Sequence, residues 1–178
     1  LLCCTTLAGT CSMVRTSCNF LDDKSPLVFV GTVISPEDPE TQVLLHGSPV
    51  LFHVTEPLRG NAGKQISIYE PGTSCDFSFQ PGKSYLVFAY FENGRLTTSE
   101  LTSTRPTWAA GAVLRQLRAV NQGQQPVSLF GYLGDGGPTS ERPMAGVTIE
   151  ATSKHRTFTN RSGVDGSFEF NYLPPGLY

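Results

Sequence analysis

Short apolar runs of period two, each closed by Gly, Pro or Asn-Gly, fill residues 27–101 and restrict the chain to a small antiparallel β architecture. In PVLFHVTEPLRG (49–60), Val50, Phe52 and Val54 share one face while Leu51, His53 and Thr55 share the other, the mark of a half-buried strand. LVFVGTVIS (27–35) precedes it, across a polar, Pro-containing loop at 36–48. GNAG (60–63) turns the chain into QISIYE (65–70), and PGTSCDFSFQPGK (71–83) reads as a connection between two Pro-Gly turns. SYLVFAYF (84–91) is apolar on both faces, so the pattern predicts a strand covered twice, by a barrel interior and by a helix. Asn93-Gly94 predicts a tight hairpin into RLTTSEL (95–101).

The period then lengthens. Across 107–123, Trp108, Ala112, Leu114, Leu117 and Val120 recur at helical spacing, with Arg115 and Arg118 off that stripe. Thr107 is the expected N-cap and Gly123 the expected stop. Five strands and one amphipathic helix suit a five-stranded OB-type barrel. Residues 122–128, rich in Gln with Gly and Pro, read as a linker. A second strand series follows in SLFGYLGD, GVTIEAT, HRTFTN and GSFEFNYL, with NRSGVDG (160–166) as the turn before the last. About 50 residues are too few to close a full sandwich, so this module is expected to be incomplete and to carry a free edge.

Eighteen Gly and thirteen Pro favour turns over long helices. A formal net charge of −2, with thirteen scattered Lys and Arg, argues against nucleic acid or an anionic membrane as partner. LLCCTTLAGT (1–10) is uncharged and too short to span a bilayer. It reads as a signal-peptide remnant cleaved after Ala8, the alternative being a buried N-terminal strand. The absence of an initiator Met and the ending at Tyr178 within a strand-like run read as a fragment of a longer protein. The five cysteines are Cys3, Cys4, Cys11, Cys18 and Cys75, and loss of the first two with a signal leaves an odd number.

Four segments carry a family resemblance. CSMVRTSCNF ahead of SPLVFVGTVIS, then VLFHVTEPLRG, then TSCDFSFQPGKSYLVFAYFENGRLTTS resemble the netrin-like module of tissue inhibitors of metalloproteinases. PMAGVTIEATS and TFTNRSGVDGSFEFNYLPPGLY resemble a carboxypeptidase regulatory-like repeat. The resemblance implies a netrin-like OB-type barrel over 11–121 with a C-terminal amphipathic helix, then an incomplete Ig-like, transthyretin-like β-sandwich over 129–178. In the inhibitors an N-terminal Cys-x-Cys docks into the protease, and the first cysteine's amine and carbonyl chelate the catalytic zinc. Here that stretch is Cys11-Ser12-Met13, so the second cysteine is missing, as is its partner near Leu101. The resemblance therefore leaves Cys11–Cys75 as the implied disulfide, with Cys18–Cys75 the alternative. A Cys11–Cys75 bridge would close a loop of roughly 65 residues and stabilise the fold by roughly 4 kcal/mol.

Three functions are compatible with these residues. The first is a secreted or cell-surface, non-catalytic binding and structural module, in an extracellular or periplasmic setting. Its partner would be a protein or an extracellular or envelope component, a metalloprotease among them. The second is metalloprotease inhibition through Cys11, Ser12 and Met13, which requires a free amine on Cys11. Cleavage after Ala8 leaves Gly9 and Thr10 ahead of Cys11, and the resulting amide cannot chelate. The third is an accessory region of a larger extracellular peptidase or transporter. No enzyme motif is present: His46, His53 and His155 lack ligand spacing, and neither H-E-x-x-H nor Gly-x-Ser-x-Gly occurs. Gly60–Lys64 lacks the first glycine of a phosphate loop and joins two strands. Glu37, Asp38 and Glu40 form an acidic loop for which solvation is the default. No metal or cofactor is implied. Asn160-Arg161-Ser162 fits the N-glycosylation sequon, which has meaning only in a source that uses it. Trp108 is assigned to core packing rather than to a partner, while Tyr90, Phe91 and Tyr132 are open to either role.

Overall fold

Alternating side chains need a closed surface to face, and residues 27–106 supply it by wrapping their strands into a barrel. The structure, a computed structural model, describes residues 25–34, 49–69, 76–100, 102–124, 129–135, 142–171, 173–174 and 176–178. The chain divides into two compact units between Pro106 and Thr107. In the first unit the strands are β1 (Leu27–Val33), β2 (Pro49–Arg59), β3 (Gln65–Tyr69), β4 (Ser84–Glu92), β5 (Arg95–Thr97) and β6 (Arg105–Pro106). Their neighbours run β1-β2-β3-β5-β4, and β4 returns to pair antiparallel with β1, closing five strands. The β3–β5 junction is parallel and minimal: Tyr69 faces Thr97, whose hydroxyl donates to the Tyr69 carbonyl at 2.6 Å. β6 adds two residues to the far stretch of β4, opposite Tyr85 and Leu86.

The predicted alternation holds on β2. Val50 and Phe52 are buried, whereas Leu51, His53 and Thr55 are exposed. Phe52 stands at the centre of the barrel core, edge-on to Phe29, Phe79 and Tyr85 with ring centroids 5.7, 5.0 and 6.5 Å away. Val33, Val50, Ile68 and Val87 fill the space around these rings. Phe79 and Phe77 come from 76–83, which the sequence presents as a mere connection. Both rings pack on Tyr85, at 5.0 and 5.7 Å, and the Tyr85 hydroxyl accepts the Gln80 N–H at 2.9 Å. β4 is buried on both faces, with Tyr85, Val87 and Ala89 in the core and Leu86 and Phe88 fully buried on the opposite side.

Turn chemistry explains the corners. Asn93 and Gly94 both adopt positive φ, at 51° and 75°, which makes the predicted hairpin a tight turn of primed type between β4 and β5. At the β2–β3 corner Gly60 has φ of 71°, and a Cβ there would lie 2.5 Å from the Pro26 carbonyl oxygen. Only glycine fits that backbone.

β5 stops at Thr97, short of the expected 101, because the next residues pair with β4 through side chains. The Phe88 N–H donates to Thr104 Oγ1 at 2.9 Å, and the Phe88 carbonyl accepts from Thr98 Oγ1 at 2.8 Å. The two hydroxyls meet at 2.8 Å, and Thr98 also meets Thr102 Oγ1 at 3.0 Å. Thr98 and Thr104 are buried, so two threonines complete the β4 ladder between β5 and β6.

The second unit opens with a 3-10 turn at Thr107–Ala109, then helix α1 (Gly111–Asn121). Ala110 occupies the N-cap without a side-chain hydrogen bond, so the expected Thr107 cap is replaced by the 3-10 turn, in which the Ala110 N–H donates to the Thr107 carbonyl at 3.1 Å. The Gly123 N–H donates to the Val120 carbonyl at 2.9 Å and ends the helix where expected. Ala112, Leu114 and Leu117 are buried as the spacing predicts, joined by Val113 and Gln116, while Val120 is exposed. The helix lies in the compact unit that begins at Thr107, whereas the resemblance placed it with 11–121. Strands β7 (Leu129–Tyr132), β8 (Thr148–Thr152), β9 (Thr157–Arg161) and β10 (Ser167–Phe170) follow, one to each predicted segment, with β9 running one residue past its segment into the predicted turn. They form two antiparallel pairs, β7 with β10 and β8 with β9. The expected linker falls partly outside the described residues, which resume at Leu129. No helix among the described residues is long and apolar enough to cross a membrane.

Candidate functional site

Cys11, Ser12, Met13, Cys18 and Cys75 lie outside the described residues, and with them both disulfide pairings and the inhibitory segment. So do residues 1–10, His46, and the acidic loop of Glu37, Asp38 and Glu40. His53 stands on the exposed face of β2, and His155 sits in the exposed turn from Ser153 to Arg156. The described residues hold no group of three His, Cys, Asp or Glu side chains able to share a metal ion. Gly60–Lys64 joins β2 to β3, as a hairpin connection should. On β4, Tyr90 is half-buried and Phe91 exposed.

A polar constellation that the sequence pattern does not disclose is centred on Arg115 of α1. Its guanidinium reaches three partners: Nε donates to Glu169 Oε1 at 2.6 Å, Nη2 donates to Ser167 Oγ at 2.7 Å, and Nη1 lies 3.5 Å from Asp165 Oδ2. Gln116, one residue on and buried, donates to Glu169 Oε2 at 3.2 Å. Ser167 Oγ in turn donates to Asp165 Oδ1 at 2.5 Å. Local structure explains the convergence. The NRSGVDG segment turns as predicted, Gly166 N–H bonding back to the Gly163 carbonyl at 2.9 Å, and this delivers Asp165 against Gly111, the first residue of α1. A carboxylate there also complements the helix dipole. The only sequence signal was the pair of arginines off the apolar stripe, which says nothing about what they meet.

One guanidinium thus binds two carboxylates and a hydroxyl, an arrangement that holds elements together. Burial alone would raise the Asp165 pKa, but the Ser167 hydrogen bonds and the Arg115 guanidinium outweigh it and hold the carboxyl below the ordinary range. An arginine cannot give up its proton at any working pH. The arrangement fastens α1 to β10.

A pH dependence follows. Because the folded state favours ionised Asp165, its contribution is present above the unfolded carboxylate value of about 3.9 and is lost as pH falls through the folded value. The second unit should therefore weaken below about pH 4, and Asp165→Asn should flatten that acid limb in circular dichroism titrations. With the Asp165 side chain 40% exposed, solvent screening limits the effect to well under about 1 kcal/mol. An acid limb unchanged by Asp165→Asn would remove this role.

Tyr132 lies beside the constellation, its ring 5.5 Å from Trp108 and edge-on to it, which accounts for both aromatics by packing within this unit. Its hydroxyl is buried and has no hydrogen-bond partner among the described residues. Burial and the nearby Asp165 charge push its pKa up. A buried hydroxyl without a partner is a net cost. Tyr132→Phe should therefore stabilise the unit by about 1 kcal/mol in urea unfolding, and a loss of stability would show a partner for that oxygen. No protein-family model matches the chain, and no curated protein matches it.

Proposed function

We propose that the chain is a secreted or cell-surface, non-catalytic binding and spacer protein, built from a netrin-like OB-type barrel and an Ig-like module of the carboxypeptidase regulatory-like kind. The observation that carries this reading is the strand order β1-β2-β3-β5-β4-β1 with β3 parallel to β5, an arrangement consistent with an OB-type barrel. Three segments that carry the resemblance lie on elements of the first unit, V-F-V-G on β1, VLFHVTEPLR on β2 and Pro-Gly-Lys on the turn before β4, and Phe-x-Phe lies on β10 of the second. The Arg115 constellation supports the same reading, since its charges are spent on holding an element in place. The partner is a protein or an extracellular or envelope component, with a metalloprotease among the candidates.

The test uses the whole chain. Labelled protein should bind an extracellular-matrix or cell-envelope fraction saturably, be displaced by unlabelled chain, and leave the fraction chemically unchanged. Uptake that never saturates, or a product that accumulates with time, would contradict the proposal. Edman sequencing of the secreted form should begin at Gly9, which would exclude zinc chelation by the Cys11 amine.

A further inference from the structure

The Asn160-Arg161-Ser162 sequon lies at the end of β9, and its two essential side chains are both committed to the fold. Asn160 is half-buried on the same face of β9 as Phe158. Its Nδ2 donates to the Glu169 carbonyl of β10, and its Oδ1 accepts the Arg161 N–H at 2.7 Å. Among the described residues no backbone ladder joins β9 to β10, and this amide is a side-chain tie between the two strands. Ser162 is buried, with 5% of its surface exposed. Its hydroxyl donates to the Met144 carbonyl at 2.5 Å and accepts the Val147 N–H at 2.9 Å, pinning the turn that leads into β8.

N-glycosylation needs both groups presented on an open, extended segment. Transfer forms a bond from Asn160 Nδ2 to the anomeric carbon of a lipid-linked oligosaccharide, expels the lipid diphosphate, and passes one amide proton to a base on the transferase. The transferase also reads the hydroxyl two residues on. In the folded unit that hydroxyl is out of reach, and the nitrogen is in contact with β10. Reaching either requires local opening of β9 from β10 and from the 144–147 turn, a state populated only in proportion to its opening free energy.

We infer that closure of the second unit shields this sequon: Asn160 is an acceptor only before β10 docks, and a glycan found there marks a chain whose second unit was still open. The sequence pattern marks a modification site, and the fold withdraws it.

The experiment expresses the full chain in cells whose secretory pathway N-glycosylates and reads occupancy by intact mass before and after glycosidase, on secreted and cell-associated protein together. Secreted, protease-resistant wild type should carry no glycan at Asn160. A second sequon built in the exposed turn by Lys154→Asn with Arg156→Ser should be occupied at least about tenfold more than Asn160 on the same folded chain. Phe170→Asp, which opens the unit by placing a charge at a buried β10 position, should raise Asn160 occupancy toward that of the turn sequon. Two results would overturn the inference. One is a glycan on Asn160 of wild type as protease-resistant as the unmodified form. The other is a Phe170→Asp chain still bare at Asn160 while the turn sequon is filled, which would make the motif a poor acceptor for reasons other than folding.

Discussion

Replacing Phe52 with alanine should destabilise the barrel by about 3–5 kcal/mol, a large part of what a domain of this size possesses. The ring is fully buried and sits edge-on to Phe29, Phe79 and Tyr85, so its removal strips aromatic contacts from three different elements. The backbone of β2 is held on both sides, by β1 and by β3, and cannot collapse to refill the space. The cost should therefore lie at the upper end, as transfer free energy plus a residual cavity. Urea unfolding followed by far-UV circular dichroism measures it. Phe52→Leu, which keeps most of the volume, should recover more than half of the loss. A Phe52→Ala shift below about 1 kcal/mol would mean that Phe52 is not central to the core.

The second large effect belongs to a hydroxyl. Thr98→Val keeps the shape of the side chain but removes the shorter of the two hydroxyl donors to the Phe88 carbonyl and the link to Thr104. Thr98 and Phe88 are both fully buried, so no water replaces the lost bond at low cost. Leaving that carbonyl with only the longer contact to the Thr104 hydroxyl, at 3.4 Å, should cost about 1–2 kcal/mol. Thr98→Ser, which retains the oxygen, should lose far less. The same unfolding measurement separates them, and equal stability of the Val and Ser variants would show that packing, not the hydroxyl, matters at this position.

The two predictions also mark where the sequence is legible. Phe52 could be read as core because period two is a local property: each residue of β2 declares its face relative to its neighbours. The same holds for Asn93-Gly94, where one dipeptide sets the turn. Thr98 and Thr104 could not be read, because a threonine that completes a ladder looks like any polar residue in a loop, and its partner Phe88 is sixteen residues away from Thr104. Phe77 and Phe79 were hidden in the same way, since two Pro-Gly turns outweighed the alternation between them. On α1, helical spacing identified Ala112, Leu114 and Leu117, yet Val113 and Gln116 are buried too. The wider buried face reflects tertiary surroundings that a stripe of five positions does not encode. The Arg115 constellation depended on a turn some fifty residues further on, at 160–166, delivering Asp165 to the start of the helix.

The account rests on ring closure of the first unit, through β1 with β4 and β3 with β5. Backbone NOE spectroscopy on isotope-labelled protein tests this most directly. Cross-strand contacts should join Val28 to Phe88, Val30 to Leu86 and Tyr69 to Thr97. If β1 shows contacts to β2 alone, and its outward amides exchange as an open edge, the barrel does not close and the account is wrong.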